Sequence, residues 1–145
     1  DDRATPAQAA KLIDAMQRAF EDAEIPALAI AALEPRMTNE SADRHVLAAA
    51  VASSDAKTIV TSNLRHFPAA ACQPFGVEVA HPDAFLCSVY ERAPTGIHAV
   101  LDQQVADLSR PSMTVEEVLD RLHAHVPEFV TRLRAGRPRS QSMEA

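Results

Sequence analysis

The sequence predicts an α/β fold that gives way to helices alone. Three observations carry this expectation. Two short runs, 58–61 and 77–80, are β-branched or apolar and alternate with helical patterns. Every segment after Pro94 keeps a helical period. With 47% hydrophobic residues over 145 positions, the chain is long enough to bury a core. Strands separated by helices read as buried and parallel, joined by right-handed crossovers. The boundaries expected are 1–92 for the α/β portion, 93–136 for a helical extension and 137–145 for a flexible basic tail.

Thr5 followed by Pro6 opens a helix, because a capping hydroxyl precedes a residue whose fixed φ suits the first turn. From Pro6 to about Asp22, the residues Leu12, Ile13, Met16 and Phe20 share one face with Ala9 and Ala19, an amphipathic pattern. Pro26 and Pro35 bracket 27–34, which reads as a linker admitting a turn of helix or a short strand. Ser41 is the next candidate cap. Residues 43–54 follow as an Ala-rich buried helix with Val46, Leu47, Ala50 and Val51 inward, and Ser53-Ser54-Asp55 ends it.

The strand 58–61 leads into a loop, 63–67. A short helix over 68–73 is broken by Gly76, and the second strand runs 77–80. Pro82 opens a helix carrying Phe85, Leu86 and Val89. Pro94 opens another with Ile97, Val100, Leu101, Val105 and Leu108, stopped by Arg110-Pro111. Thr114 and Glu117 form a capping box ahead of Val115, Val118, Leu119 and Leu122. Pro127 starts a last helix with Phe129, Val130 and Leu133, ended by Gly136. These late stripes read as core.

Composition excludes several classes. No apolar run approaches the ~18 residues of a membrane span, and 47% hydrophobic content with 3 Gly is not that of a disordered tail. Cys72 and Cys87 stand in apolar surroundings without metal-ligand spacing, so neither a disulfide framework nor a structural zinc site is expected, and a reducing cytoplasm is the expected home. The three scattered Gly form no phosphate loop. His123 and His125, two apart, point in different directions on a helix, and His45 reads as helix surface. The 20 acids outnumber the 14 Lys and Arg, while Arg132, Arg134, Arg137 and Arg139 cluster in a basic end that reads as solvated. The acidic balance argues against tight non-specific nucleic-acid binding. The opening Asp1-Asp2-Arg3, without Met and without a charged leader, reads as a point downstream of the start of translation.

The strings Asp43-Arg44-His45-Val46-Leu47-Ala48-Ala49-Ala50, Thr58-Ile59-Val60-Thr61-Ser62-Asn63-Leu64-Arg65-His66-Phe67-Pro68, Phe75-Gly76-Val77-Glu78-Val79 and Pro82-Asp83-Ala84-Phe85-Leu86 occur in order. They resemble the C-terminal half of a PIN domain, of the bacterial branch that carries an added helical C-terminus and includes the VapC-type toxin ribonucleases. The resemblance implies a PIN-like three-layer sandwich with short parallel strands, truncated here, plus the all-helical extension. It implies a Mg2+- or Mn2+-dependent endoribonuclease, a toxin paired with an antitoxin protein and acting on RNA, in which clustered acids at strand ends hold the metal.

Asp43 matches the family acid that begins this helix and is the implied metal ligand and catalytic acid, with Glu40 a weak second. Asn63 stands in the loop where the family commonly offers an acid and is the second candidate catalytic residue; Thr61 and Arg65 are candidate substrate contacts. His66, just before Phe67, takes another of the family's acidic places and reads as a surface loop residue. The family's first strand and its acid are expected to be missing, so this chain is expected to be inactive or very weak by itself. Unpaired strand edges would then favour a homo-oligomer or a strand-exchanged dimer. The alternative is a catalytically degenerate PIN-like scaffold that binds protein or RNA without cutting it.

Overall fold

The computed structural model describes residues 5–55, 57–109 and 111–137. Its helices are α1 (Pro6–Ala19), α2 (Ala27–Leu33), α3 (Arg44–Ala52), α4 (Ala69–Cys72), α5 (Pro82–Arg92), α6 (Pro94–Asp107), α7 (Val115–His123) and α8 (Pro127–Gly136). Between α3 and α4 lies β1 (Thr58–Val60), and between α4 and α5 lies β2 (Glu78–Ala80). The two strands pair in one small sheet. Glu78 N donates to Lys57 O and Thr61 N to Ala80 O, so the partners advance together along both strands and the pairing is parallel. The chain divides into two units. One holds the described residues up to Ile59 together with His66–Glu78; the other holds Val60–Arg65 and the described residues from Val79 on.

In the first unit, α1 starts on the expected Thr5 hydroxyl, which Gln8 completes into a capping box: Thr5 Oγ1 accepts from Gln8 N while Gln8 Oε1 accepts from Thr5 N. The helix stops at Ala19, short of Asp22, where Phe20 leaves the helical region and a 3-10 turn, Glu21–Ala23, follows. None of its residues is buried, and Leu12, Ile13, Met16 and Phe20 are 55–64% exposed. Its amphipathic stripe is therefore an outward face in this chain. The segment after Pro26, which the sequence left between helix and strand, is the helix α2, consistent with the propensity of its Ala and Leu residues, and it packs on α3. Leu47 and Ala48 of α3 are fully buried, with Met37, Ile59, Phe67 and Cys72 also in the interior. The expected cap Ser41 is not the one used: Glu40 accepts from Ser41 N and opens the 3-10 turn Ser41–Asp43 ahead of α3. Gly76 takes φ +66 to end the turn after α4, a left-handed position that suits a residue without Cβ.

The second unit is built on α5 to α8 around Cys87, Leu101, Leu119, Val126, Phe129, Val130 and Leu133. Val100 on α6 and Leu108 just past its end, expected inside, are exposed. The α7 capping box forms as expected, and these bonds from Thr114 hold the Glu117 carboxyl below its ordinary range. α8 has no side-chain cap from its own N-cap residue, Val126. Its free amides are met from another helix: Asp83 of α5 accepts from Glu128 N at 3.1 Å and from Phe129 N at 2.8 Å. Burial pushes the thiols of Cys72 and Cys87 up, and both are free; inert thiols of this kind behave as small apolar groups.

The arginines expected to lie in a solvated basic end are instead spent within this unit. Arg132 pairs with Glu128 and with Glu91 of α5, Arg134 with Asp120 and Glu116 of α7, and Arg137 with Asp102 of α6. The carboxylates on Arg132 and Arg134 raise the pKa of both guanidiniums. Arg139 and the rest of the expected tail beyond Arg137 lie outside the described residues.

Two outcomes follow from this packing. Replacing Asp83→Ala leaves two α8 amides without their partner and is expected to lower the unfolding free energy in urea by about 1–2 kcal/mol, with Asp83→Asn retaining part of the loss. At Gly136 an added Cβ would lie 1.9 Å from Tyr90 Oη. Gly136→Ala is therefore expected to cost about 1–3 kcal/mol of stability by overpacking, read as a lower Tm, and Tyr90→Phe in the same chain should recover part of it. Equal Tm for Gly136→Ala and the parent would show that the contact yields freely.

Candidate functional site

Asp43 is the residue just before the first turn of α3, at φ −113, and its carboxylate does not cap that helix. It turns to the loop after β1 instead: Asp43 Oδ2 accepts from His66 Nδ1 at 2.6 Å, with both side chains about 70% buried. Backbone bonding fastens the same region, since Glu40 N donates to His66 O at 3.3 Å. Arg44, next to Asp43, donates from Nε to Asn39 O. Asn39 itself is 4% exposed, and among the described residues its side-chain amide has no hydrogen-bond partner.

The loop residues form a second group. Thr61 N is anchored on Ala80 O at 3.0 Å. Thr61 Oγ1 accepts from Asn63 N at 3.1 Å, and Asn63 Oδ1 accepts from Arg65 Nε at 3.2 Å. The 3-10 turn Leu64–His66 then sets the backbone of Arg65. Asp43 and His66 fall in the first unit, and Thr61, Asn63 and Arg65 in the second. Each group is internally bonded.

Sequence reasoning missed the tie between Asp43 and His66. The signal available was weak: an imidazole standing where the resemblance has an acid becomes a donor to the remaining carboxylate. The Asp43–His66 pair also bears on metal binding. Glu40 spends its carboxylate on Ser41 N and Oγ. Among the described residues no three His, Cys, Asp or Glu side chains gather where they could hold a metal ion. One carboxylate bonded to an imidazole is a poor donor set for a hard cation that asks for several oxygens, so the described residues do not by themselves fit Mg2+ or Mn2+. No helix among them is long and apolar enough to cross a membrane.

A small parallel sheet with helices, followed by helices alone, is consistent with the C-terminal part of a VapC-type PIN protein, and the comparisons place the chain in that family. Residues 82–135 match the family described as the VapC50 C-terminal domain. The chain is 40% identical over 98 residues to the protein named "Putative ribonuclease VapC50" of Mycobacterium tuberculosis (strain ATCC 25618 / H37Rv), a match covering 68% of this chain. The aligned segment spans 57% of that relative's length. No solved structure matches.

The donor count yields an outcome in solution. Adding Mn2+ to this chain is expected to move Tm by less than about one degree, because an incomplete donor set supplies little binding free energy to couple to folding. A rise of several degrees that Asp43→Asn removes would overturn this reading of the site.

Proposed function

We propose that the chain supplies the C-terminal part of a metal-dependent endoribonuclease, the toxin of a toxin–antitoxin pair, working on RNA in the cytoplasm with Mg2+ or Mn2+. The observation that carries this reading is the position of Asp43: it leads α3, and its carboxylate is held by His66 of the loop that follows the parallel strand β1, an oriented acid of the kind metal-dependent phosphodiester chemistry uses. The relative's name supports the reaction class.

In this reading Asp43 is one carboxylate of a larger donor set, and the further ligands come from outside the described residues. The hydrogen bond from His66 keeps the Asp43 carboxylate in a set orientation. Thr61 and Arg65, on the loop beyond β1, offer a hydroxyl and a guanidinium to the substrate's phosphates. When bound, the cation would supply charge neutralisation at the scissile phosphate. This chain's own residues hold an acid in place and present donors to a polyanion.

A second reading has its own support. Because Asn63 and His66 stand where the resemblance has acids and no three-group metal cluster forms among the described residues, the protein would be a scaffold that binds RNA or protein without cutting.

RNA cleavage by the full-length gene product separates the two. The ribonuclease reading expects cleavage that EDTA abolishes and that Asp43→Ala lowers on the order of 10²-fold, the scale for losing one group that stabilises transition-state charge. Equal cleavage by the Asp43→Ala variant removes Asp43 from the mechanism. Absence of cleavage by the parent protein, with RNA still bound, selects the scaffold.

A further inference from the structure

Asn63, a candidate catalytic residue by its place in the loop, has its side-chain oxygen on Arg65 Nε. We infer that Asn63 is a positioning residue that holds the Arg65 guanidinium ready for a phosphodiester group of RNA. This rests on the proposal that the protein handles RNA, and it assigns one side chain's part in that contact.

The geometry is a short relay. Thr61 is pinned to Ala80 O, Thr61 Oγ1 holds the Asn63 amide, and Asn63 Oδ1 takes the Nε proton of Arg65. Nε is the inner edge of the guanidinium. A bond there sets the plane of the group and leaves the two terminal nitrogens pointing away, where their parallel N–H groups match two oxygens of one phosphate. Among the described residues Arg65 makes no other side-chain hydrogen bond and no ion pair.

The charge pattern of the local sequence points the same way. Between Asp55 and Glu78 the sequence holds no acid at all, although the chain has 20. Within that stretch Lys57 is spent on Ser53 O at 2.9 Å. Arg132, Arg134 and Arg137, by contrast, are each matched by carboxylates. A guanidinium oriented by a neutral amide, with no ion pair among the described residues, keeps its charge for an anionic ligand. An acid in place of Asn63 would orient Arg65 equally well but neutralise it. Orientation before contact saves the ordering cost of a long exposed side chain at the moment of binding.

The test is a double-mutant cycle on the whole chain, binding a short fluorescein-labelled oligouridine in EDTA across a salt series. Arg65→Ala is expected to weaken binding about ten-fold and to reduce the salt slope by about 0.7, the loss of one phosphate contact on a single strand. Asn63→Ala is expected to weaken binding about three-fold, the scale of one net hydrogen bond, and to have no effect in the Arg65→Ala background. Asn63→Asp is expected to weaken binding at low salt by pairing the guanidinium with a charge.

Binding by the parent chain with Arg65→Ala unchanged, or with Asn63→Ala equally harmful in both backgrounds, overturns this assignment and leaves the RNA reading standing. No binding of the oligouridine by the parent chain at any salt overturns both.

Discussion

The carboxylate of Asp83 reaches across 45 residues to the two amides that open α8. A helix whose first amides face no partner is frayed, and Val126, which precedes α8, has no side chain to satisfy them. By closing that end, Asp83 sets where Phe129, Val130 and Leu133 enter the interior of the helical unit. Arg132 and Arg134 of α8, and Arg137 just past its end, then find acids on α5, α7 and α6 respectively. Exposed pairs of this kind each add little; together they fix which faces of the helices meet. The segment matched by the family, residues 82–135, runs from the start of α5, beside this carboxylate, to the last turn of α8.

Tight packing adds a constraint of another kind. Tyr90 meets Phe129 and His98 edge-on, with its hydroxyl bonded to His98 Nε2 at 3.2 Å. The same hydroxyl lies where a Cβ on residue 136 would need to be. Gly136, which reads in the sequence as a helix end, is therefore also the point at which α8 leaves room for an aromatic ring.

The candidate site shows how one replaced residue alters its neighbours. With His66 in an acid's place, Asp43 has a donor at 2.6 Å where a second carboxylate would have repelled it. With Asn63 in another, the acceptor for Arg65 is a neutral amide in place of a carboxylate. At both positions the side chain that departs from the acidic pattern the resemblance implies is hydrogen-bonded to a charged neighbour, His66 to Asp43 and Asn63 to Arg65.

Much of the fold was legible because its signals are local. The capping hydroxyl at Thr5 and the capping box at Thr114, the prolines that begin α1, α5, α6 and α8, the helix–turn–strand punctuation around Gly76 and the helical period after Pro94 all depend on residues a few positions apart. Side chains that near one another interact whatever the rest of the chain does. What the sequence could not determine by itself depends on distant partners: the outward face of α1, the exposure of Val100 and Leu108, the use of Glu40 in place of Ser41, the pairing of the C-terminal arginines, and the bond between Asp43 and His66, 23 positions apart. A pattern of apolar and charged residues says which side chains need a partner; only the tertiary structure, by bringing remote segments within a few ångströms, decides which partner each one meets.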